Sequence, residues 1–289
     1  MTSNKKLVWF VTGANSGLGL CIVKHALFHG HTVVATARSL SKFPQSLKEN
    51  PNADLVELEI AGPSSAATAI LDAAVLKHGR IDVLVNNAGY GLMGAVEDLT
   101  EAEIRYQFDV NVFGLINVTK AALPHMRKQG SGTIIQMSSV GGFFAIEGSP
   151  VYLASKFAVE GLTEGLALEV KRFDIRVHLV EPGFFRTNFL VQLSKGKNVA
   201  AHNGNYMDVQ TVLSGVHGNQ PGDPQKAAEC IHDLVMGVGL AKGLEEELRI
   251  PLGSDCVGMM GMKAKALEQT AQKLKSVAES TDFELTSSA

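Results

Sequence analysis

Short, almost wholly apolar runs recur along this chain, and longer segments with helical spacing separate most of them. The runs fall at residues 7–12, 32–36, 54–60, 81–85, 133–137 and 175–180. A strand that is apolar on both sides cannot face water on either. It belongs in a sheet covered by helices on both faces, and such sheets are characteristically parallel. Right-handed crossovers then give a doubly wound α/β sheet of the Rossmann type.

Helices are expected at 17–29, 64–78, 101–127 with an interruption near Pro124, and 151–173. Polar residues 39–52, with Pro44 and Pro51, read as a loop with room for a short helix. After Pro182 the pattern loosens, and 184–219 reads as a variable helical lid covering a substrate cleft. A helix over 224–236 and a short strand near 248–250 would complete the sheet. Residues 262–280 read as a terminal helix whose last turns fray, within a C-terminal helix and tail over 262–289. No repeat or linker divides the chain, so residues 1–289 are expected to form a single domain.

Composition removes several classes of partner. A net charge of −3 gives no reason to expect nucleic acid or an anionic membrane surface. No uncharged run reaches the ~18–20 residues of a membrane span. Cys21, Cys230 and Cys256 are odd in number and far apart, which argues against a disulfide framework and fits a reducing compartment. With no room for a signal peptide before the first strand, and no peroxisomal address at Ser287, Ser288 and Ala289, a cytoplasmic location is expected.

Two motifs carry chemistry. The first run leads into Thr12, Gly13, Ala14, Asn15, Ser16, Gly17, Leu18 and Gly19, a turn between a strand and a helix. Glycines there permit positive φ and let a pyrophosphate approach the backbone, where helix N–H groups favour its charge. After the second run comes Arg38 rather than an acid, which suits a 2′-phosphate and predicts NADP(H). The second motif is Tyr152 and Lys156, one helical turn apart, with Ser139 thirteen residues upstream. Reduction of a carbonyl leaves an alkoxide that needs a proton. A phenol can supply it if a nearby ammonium lowers its pKa from ~10. A serine hydroxyl can donate to the carbonyl oxygen as charge develops.

On these motifs the chain resembles the compact, single-domain short-chain dehydrogenases/reductases, and the stretch from Glu181 to Thr187 resembles the hydroxysteroid- and retinol-dehydrogenase-like members. The resemblance runs to about Asn188 and, more loosely, from Pro224 to the end. It implies that Asn111, Ser139, Tyr152 and Lys156 are catalytic. Lys156 would also hold the nicotinamide ribose, and Asn111 would position a water that relays protons to Lys156. It implies cofactor contacts from Gly13, Asn15, Ser16, Gly17, Leu18 and Gly19 in the turn and from Arg38, Glu59 and Ile60 at the adenosine end. Asn87, Ala88 and Gly89 follow the fourth strand, and Pro182, Gly183 and Thr187 would pack on nicotinamide. Two positions depart from the family pattern. Glu59 stands where aspartate is common, and Ser16 where NADP-binding members carry lysine, which leaves phosphate recognition to Arg38.

The implied reaction interconverts a carbonyl and a secondary alcohol on a bulky, hydrophobic, steroid-, retinoid- or polyketide-like molecule. Tyr90, Met93, Phe143, Phe144, Ile146, Phe184, Phe189 and Met207 are the candidate apolar lining. A regulatory or scaffold protein that binds nicotinamide nucleotide without turnover is the alternative. An epimerase or dehydratase of nucleotide sugars would carry a different glycine spacing. The resemblance also implies a homodimer or homotetramer, with the helix over 151–173 a candidate interface. His25, His29 and His31 lie close in sequence, but no carboxylate or cysteine completes a site, so no metal is expected.

Overall fold

The structure, a computed structural model, describes residues 6–191, 193–195 and 215–283. Its first strand, β1 (Val8–Val11), lies third from one edge of a seven-stranded parallel sheet. On one side of it are β2 (Thr32–Ala37) and β3 (Ala53–Glu57). On the other are β4 (Val83–Asn86), then β6 (Gly132–Met137), β7 (Ile175–Pro182) and β9 (Arg249–Leu252). Two further segments, β5 (Leu92–Met93) and β8 (Ser194–Lys195), form a small parallel pair apart from this sheet.

Alternation along the strands builds two cores. Trp9, Val11, Val33 and Ala35 pack under α1 (Gly17–Phe28) and α7 (Pro224–Met236), with Leu47 of the short α2 (Gln45–Lys48) at the rim. Val8, Phe10, Val34 and Leu84 face the opposite way. They pack under α3 (Ser64–His78), α5 (Leu115–Gln129) and α6 (Pro150–Val170). The strand order reverses between β1 and β4, so a crevice opens at their carboxyl ends, where such sheets bind ligands.

Three boundaries differ from expectation. The helix expected over 101–127 is α4 (Glu101–Phe108), a π-helical turn (Asp109–Gly114) and then α5. Pro124 does not interrupt it. Pro124 and Lys120 both lie on the exposed side, where water can take the carbonyl that the missing N–H leaves free. The break falls instead where Asn111 is held from outside the helix. The terminal helix, α8 (Ser254–Glu279), starts eight residues before position 262, anchored at its root by buried Cys256. Within the expected lid over 184–219, the structure describes 184–191, 193–195 and 215–219; Met207 lies outside the described residues.

Candidate active site

One cleft of about 970 Å³ runs across the carboxyl edge of the sheet and gathers most of the residues singled out by the sequence. Its floor at one end is the turn after β1. Gly13 has φ +62°, and a Cβ there would come within 2.8 Å of Ala88 Cα. Asn87 fixes the crossing of the two strand ends. Its side-chain amide donates to the carbonyls of Thr12 and Gly13 at 3.0 and 3.1 Å. Thr12 Oγ1 accepts from the backbone N–H groups of Asn87 and Ala88, both at 3.0 Å. Gly13, Asn15, Ser16, Gly17 and Leu18 line the cleft. Gly19 does not; a Cβ there would strike Asn87 and the Gly13 carbonyl, so its role is close packing behind the turn.

Arg38 emerges from the end of β2 into the cleft, exposed, and among the described residues its guanidinium has no ion-pair partner. Lys42, which the sequence reading passed over, lines the same cleft. Its signal was a second basic residue in the loop after β2. Glu59 and Ile60 also line it, but a Glu59 carboxylate oxygen accepts from its own turn, from Ala61 N–H at 3.3 Å. At the far end Pro182 and Gly183 close β7. A Cβ on Gly183 would collide with the Asp255 carboxylate, which already accepts from Phe184 N–H at 2.6 Å. Thr187 crosses above the glycine turn, 3.8 Å from where a Gly17 Cβ would stand.

Ser139, Tyr152 and Lys156 meet on one wall. Ser139 sits at the end of β6, its hydroxyl accepting from Gly141 N–H at 3.1 Å. Ser139 Oγ and the Tyr152 ring both lie 3.5 Å from where a Gly141 Cβ would stand. The sequence predicted a Tyr152 pKa lowered by the lysine. Here it is raised, because burial outweighs the Ser139 hydrogen bond that lowers it. The physical reason is where the ammonium points: Lys156 Nζ donates to the Met137 carbonyl at 2.8 Å. Lys156 is itself buried, which pushes its pKa down to about 8 against the opposing charge of Glu160.

Asn111 stands behind the wall rather than in it. Its Oδ1 accepts from Tyr90 N–H at 3.0 Å, and its amide donates to Tyr90 O at 3.0 Å and Ser155 Oγ at 3.1 Å. Ser155 in turn donates to the Tyr152 carbonyl at 2.6 Å. Both Asn111 side-chain N–H bonds are thus committed, so as a relay its side chain offers only an accepting lone pair. Gly89 lets the groups approach: a Cβ there would be 3.2 Å from Asn111 Oδ1 and 3.8 Å from Lys156 Nζ. Asn86, by contrast, is spent on structure, donating to Thr119 and Gln136 within the core.

Beside Ser139 lies a partly buried charge cluster that the sequence did not reveal. Ser138 Oγ donates to Glu160, and Arg249 donates to Glu160, Glu181 and Glu164. Glu181 is fully buried. Burial first, and then Glu160, push it up to about 8 against the pull of Arg249.

One stretch of the cleft lining is apolar. Tyr90, Met93, Phe144, Ile146, Phe184 and Phe189 line it as expected, joined by Leu190, Leu193 and Met259; Phe143 does not. Far from this cleft, His232 of α7 brings a third imidazole to His25 and His29, with ring nitrogens within 4.8 Å of one another. His31 Nδ1 accepts from Leu7 N–H at 3.2 Å, so His31 Nε2 carries the proton and donates to His232 Nε2 at 3.1 Å. That lone pair of His232 is therefore committed. No metal is assigned to the cluster.

Residues 7–198 match the family model of the short chain dehydrogenases. The chain is 42% identical over 179 residues to a 3-ketodihydrosphingosine reductase of Bacteroides thetaiotaomicron, a match spanning 62% of this chain and 64% of that protein. It is 36% identical over 261 residues to the uncharacterized oxidoreductase YusZ of Bacillus subtilis, spanning 86% and 90%. A short-chain dehydrogenase from Streptomyces avermitilis superposes with a TM-score of 0.85 at 36% identity, covering 96% of this chain and 100% of that one. A Burkholderia phymatum enzyme in complex with NAD (TM-score 0.80, 19% identity, 93% and 97% covered) shares the fold. So does ElxO with NADP bound (TM-score 0.71, 25% identity, 88% and 100% covered).

Proposed function

The chain belongs to the short-chain dehydrogenase family of oxidoreductases, and on that footing we propose that it uses NADP(H) to interconvert a carbonyl and a secondary alcohol on a bulky hydrophobic molecule. The observation that carries this reading is the shared wall of Ser139, Tyr152 and Lys156 beside a glycine cradle and an apolar recess. The cradle fits a dinucleotide: at Gly17 nothing lies nearer than Thr187, 3.8 Å from where a Cβ would stand, which leaves backbone open to phosphate, and Arg38, without an ion-pair partner among the described residues, supplies a cation at the adenosine end.

When bound, the cofactor supplies or accepts the hydride. The residues of this chain handle orientation and protons. In reduction, Ser139 and Tyr152 hydrogen-bond the carbonyl oxygen, and Tyr152 Oη gives it a proton as the C–O bond becomes single. Lys156, whose ammonium donates to the Met137 carbonyl, would hold the nicotinamide ribose beside them, and oxidation reverses each proton step. The apolar recess between Met93, Phe184 and Phe189 favours a large apolar carbonyl compound. The relative named as a 3-ketodihydrosphingosine reductase supports that class.

The test is a panel of hydrophobic ketones and secondary alcohols assayed with NADPH and NADP. Turnover is expected, and Tyr152→Phe should lower kcat by roughly 10²–10⁴-fold. A Tyr152→Phe enzyme working at the wild-type rate would refute the proton role. NADP(H) binding without turnover across the panel would favour a non-catalytic protein.

A further inference from the structure

One buried polar group on the wall of the cleft is left without a partner. Ser149 stands immediately before α6, three residues from Tyr152, and only 1% of its surface is exposed. It lines the cleft, yet its hydroxyl has no hydrogen-bond partner among the described residues. A serine at the start of a helix ordinarily turns its oxygen onto the helix and accepts from the N–H two or three residues on. Ser149 does not. Its side chain makes no capping bond, and its backbone, φ −141° and ψ 30°, departs from the extended form of a capping residue.

Burying a hydroxyl unpaired is costly, but the position is firmly held. Gly94 N–H donates to the Gly148 carbonyl at 2.8 Å, which straps the residue before Ser149 to the end of β5. Leu153 N–H donates to the Ser149 carbonyl at 3.0 Å. Gly148 has φ +76°, where a side chain would be strained. Ser149 therefore stands where β5 and α6 reach the cleft, which Met93 of the one and Tyr152 of the other also line.

We propose that Ser149 reads a second oxygen on the substrate: a hydroxyl within a few carbons of the carbonyl that Ser139 and Tyr152 engage. The inference rests on the carbonyl–alcohol reading above and narrows its substrates to hydrophobic hydroxyketones and the diols they become. Two considerations select a hydroxyl. In a recess lined by Met93, Phe184 and Phe189, a neutral group costs less to desolvate than a charged one. A hydroxyl also donates and accepts, as serine does, so the pair can form in either direction. Spacing limits its place. Residues three apart on a helix have Cβ atoms about 5–6 Å apart, so a substrate spanning Tyr152 and Ser149 carries the hydroxyl close to its carbonyl.

Kinetics on matched ketones test this. The set is one unsubstituted ketone and isomers of equal length with a hydroxyl on the first, second or third carbon from the carbonyl. The wild-type enzyme is expected to favour one isomer over the plain ketone by about 10–100-fold in kcat/KM, the range set by pairing an orphaned buried hydroxyl. Ser149→Ala should bring that ratio to about one, since nothing remains to pair. Ser149→Cys, close in size and a weak hydrogen-bonding group, should do the same, so the result stands even if alanine reshapes the recess. A wild-type enzyme indifferent to the hydroxyl overturns the inference. So does a ratio that both variants keep, whatever their absolute rates, because Ser149 would then serve α6 and not the substrate. Plain ketones turned over without such a preference leave the reaction standing and remove this inference alone. No turnover of any ketone removes both.

Discussion

Lys156 is a buried cation that must stay charged to serve as an ammonium, and its neighbour one turn on decides how easily it does. Burial pushes its pKa down to about 8, and the negative charge of Glu160 opposes that fall. Glu160→Gln keeps an acceptor for Ser138 but removes the charge. The lysine then loses its proton at lower pH, so the alkaline limb of kcat/KM should move to lower pH. An unmoved limb would mean that Lys156 does not set it. At the adenosine end, Arg38→Ala should cut kcat/KM for NADPH by about 10–100-fold and leave NADH nearly unchanged, as loss of a charge-assisted phosphate contact requires. An unaltered cofactor ratio would assign the phosphate to other groups, Lys42 first. Tyr152 and Lys156 were legible because residues four apart share a helix face, and Ser139 because it follows a strand at the carboxyl edge of the sheet. Glu160 and Ser155 were not, because their meaning comes from Ser138, Arg249 and Asn111, which only the fold brings to them.

The strands of the sheet were legible at the level of elements, since a strand buried on both faces must be written as an apolar run. The helix before β6 was not. Proline is the loudest breaker in a sequence, yet Pro124 sits on a wet face and costs the helix little continuity. The real break, 109–114, is made by tertiary contacts: Asn111 bonds both backbone groups of Tyr90, and Gly114 lies so close to the Ile60 carbonyl that a Cβ would stand 2.6 Å from it. Local unwinding of this kind is frequent at functional sites. Asn111→Ala would strand the Tyr90 N–H and release Ser155, while the Tyr90 carbonyl keeps its bond from Gln107. It should destabilise the fold by about 1–3 kcal/mol in denaturant unfolding. A cost below about 1 kcal/mol, within the range of a single ordinary hydrogen bond, would show that Tyr90 finds other partners and that the turn is held elsewhere.

Across the whole molecule, one partly buried charge cluster joins the last strands to the wall of Ser139, Tyr152 and Lys156. Arg249 on β9 reaches Glu181 on β7 and Glu160 and Glu164 on α6, and Glu160 reaches Ser138 beside Ser139. One cation, shared also with exposed Glu164, does not neutralise the buried Glu160 and Glu181 together. The pair therefore keeps a proton, with Glu181 raised to about 8, far above an ordinary carboxyl group. An acid whose pKa is raised on folding binds its proton more tightly in the folded state. Between the unfolded value near ~4 and the folded one, the folded chain carries a proton that the unfolded chain has lost, so stability must fall as pH rises through that window. Glu181→Gln mimics the protonated form at every pH. Unfolding free energies measured from about pH 5 to pH 9 should decline for the wild type, with a flatter profile for the variant and the two curves separating toward alkaline pH. If they run parallel, Glu181 does not hold the proton, and Arg249 balances both carboxylates after all.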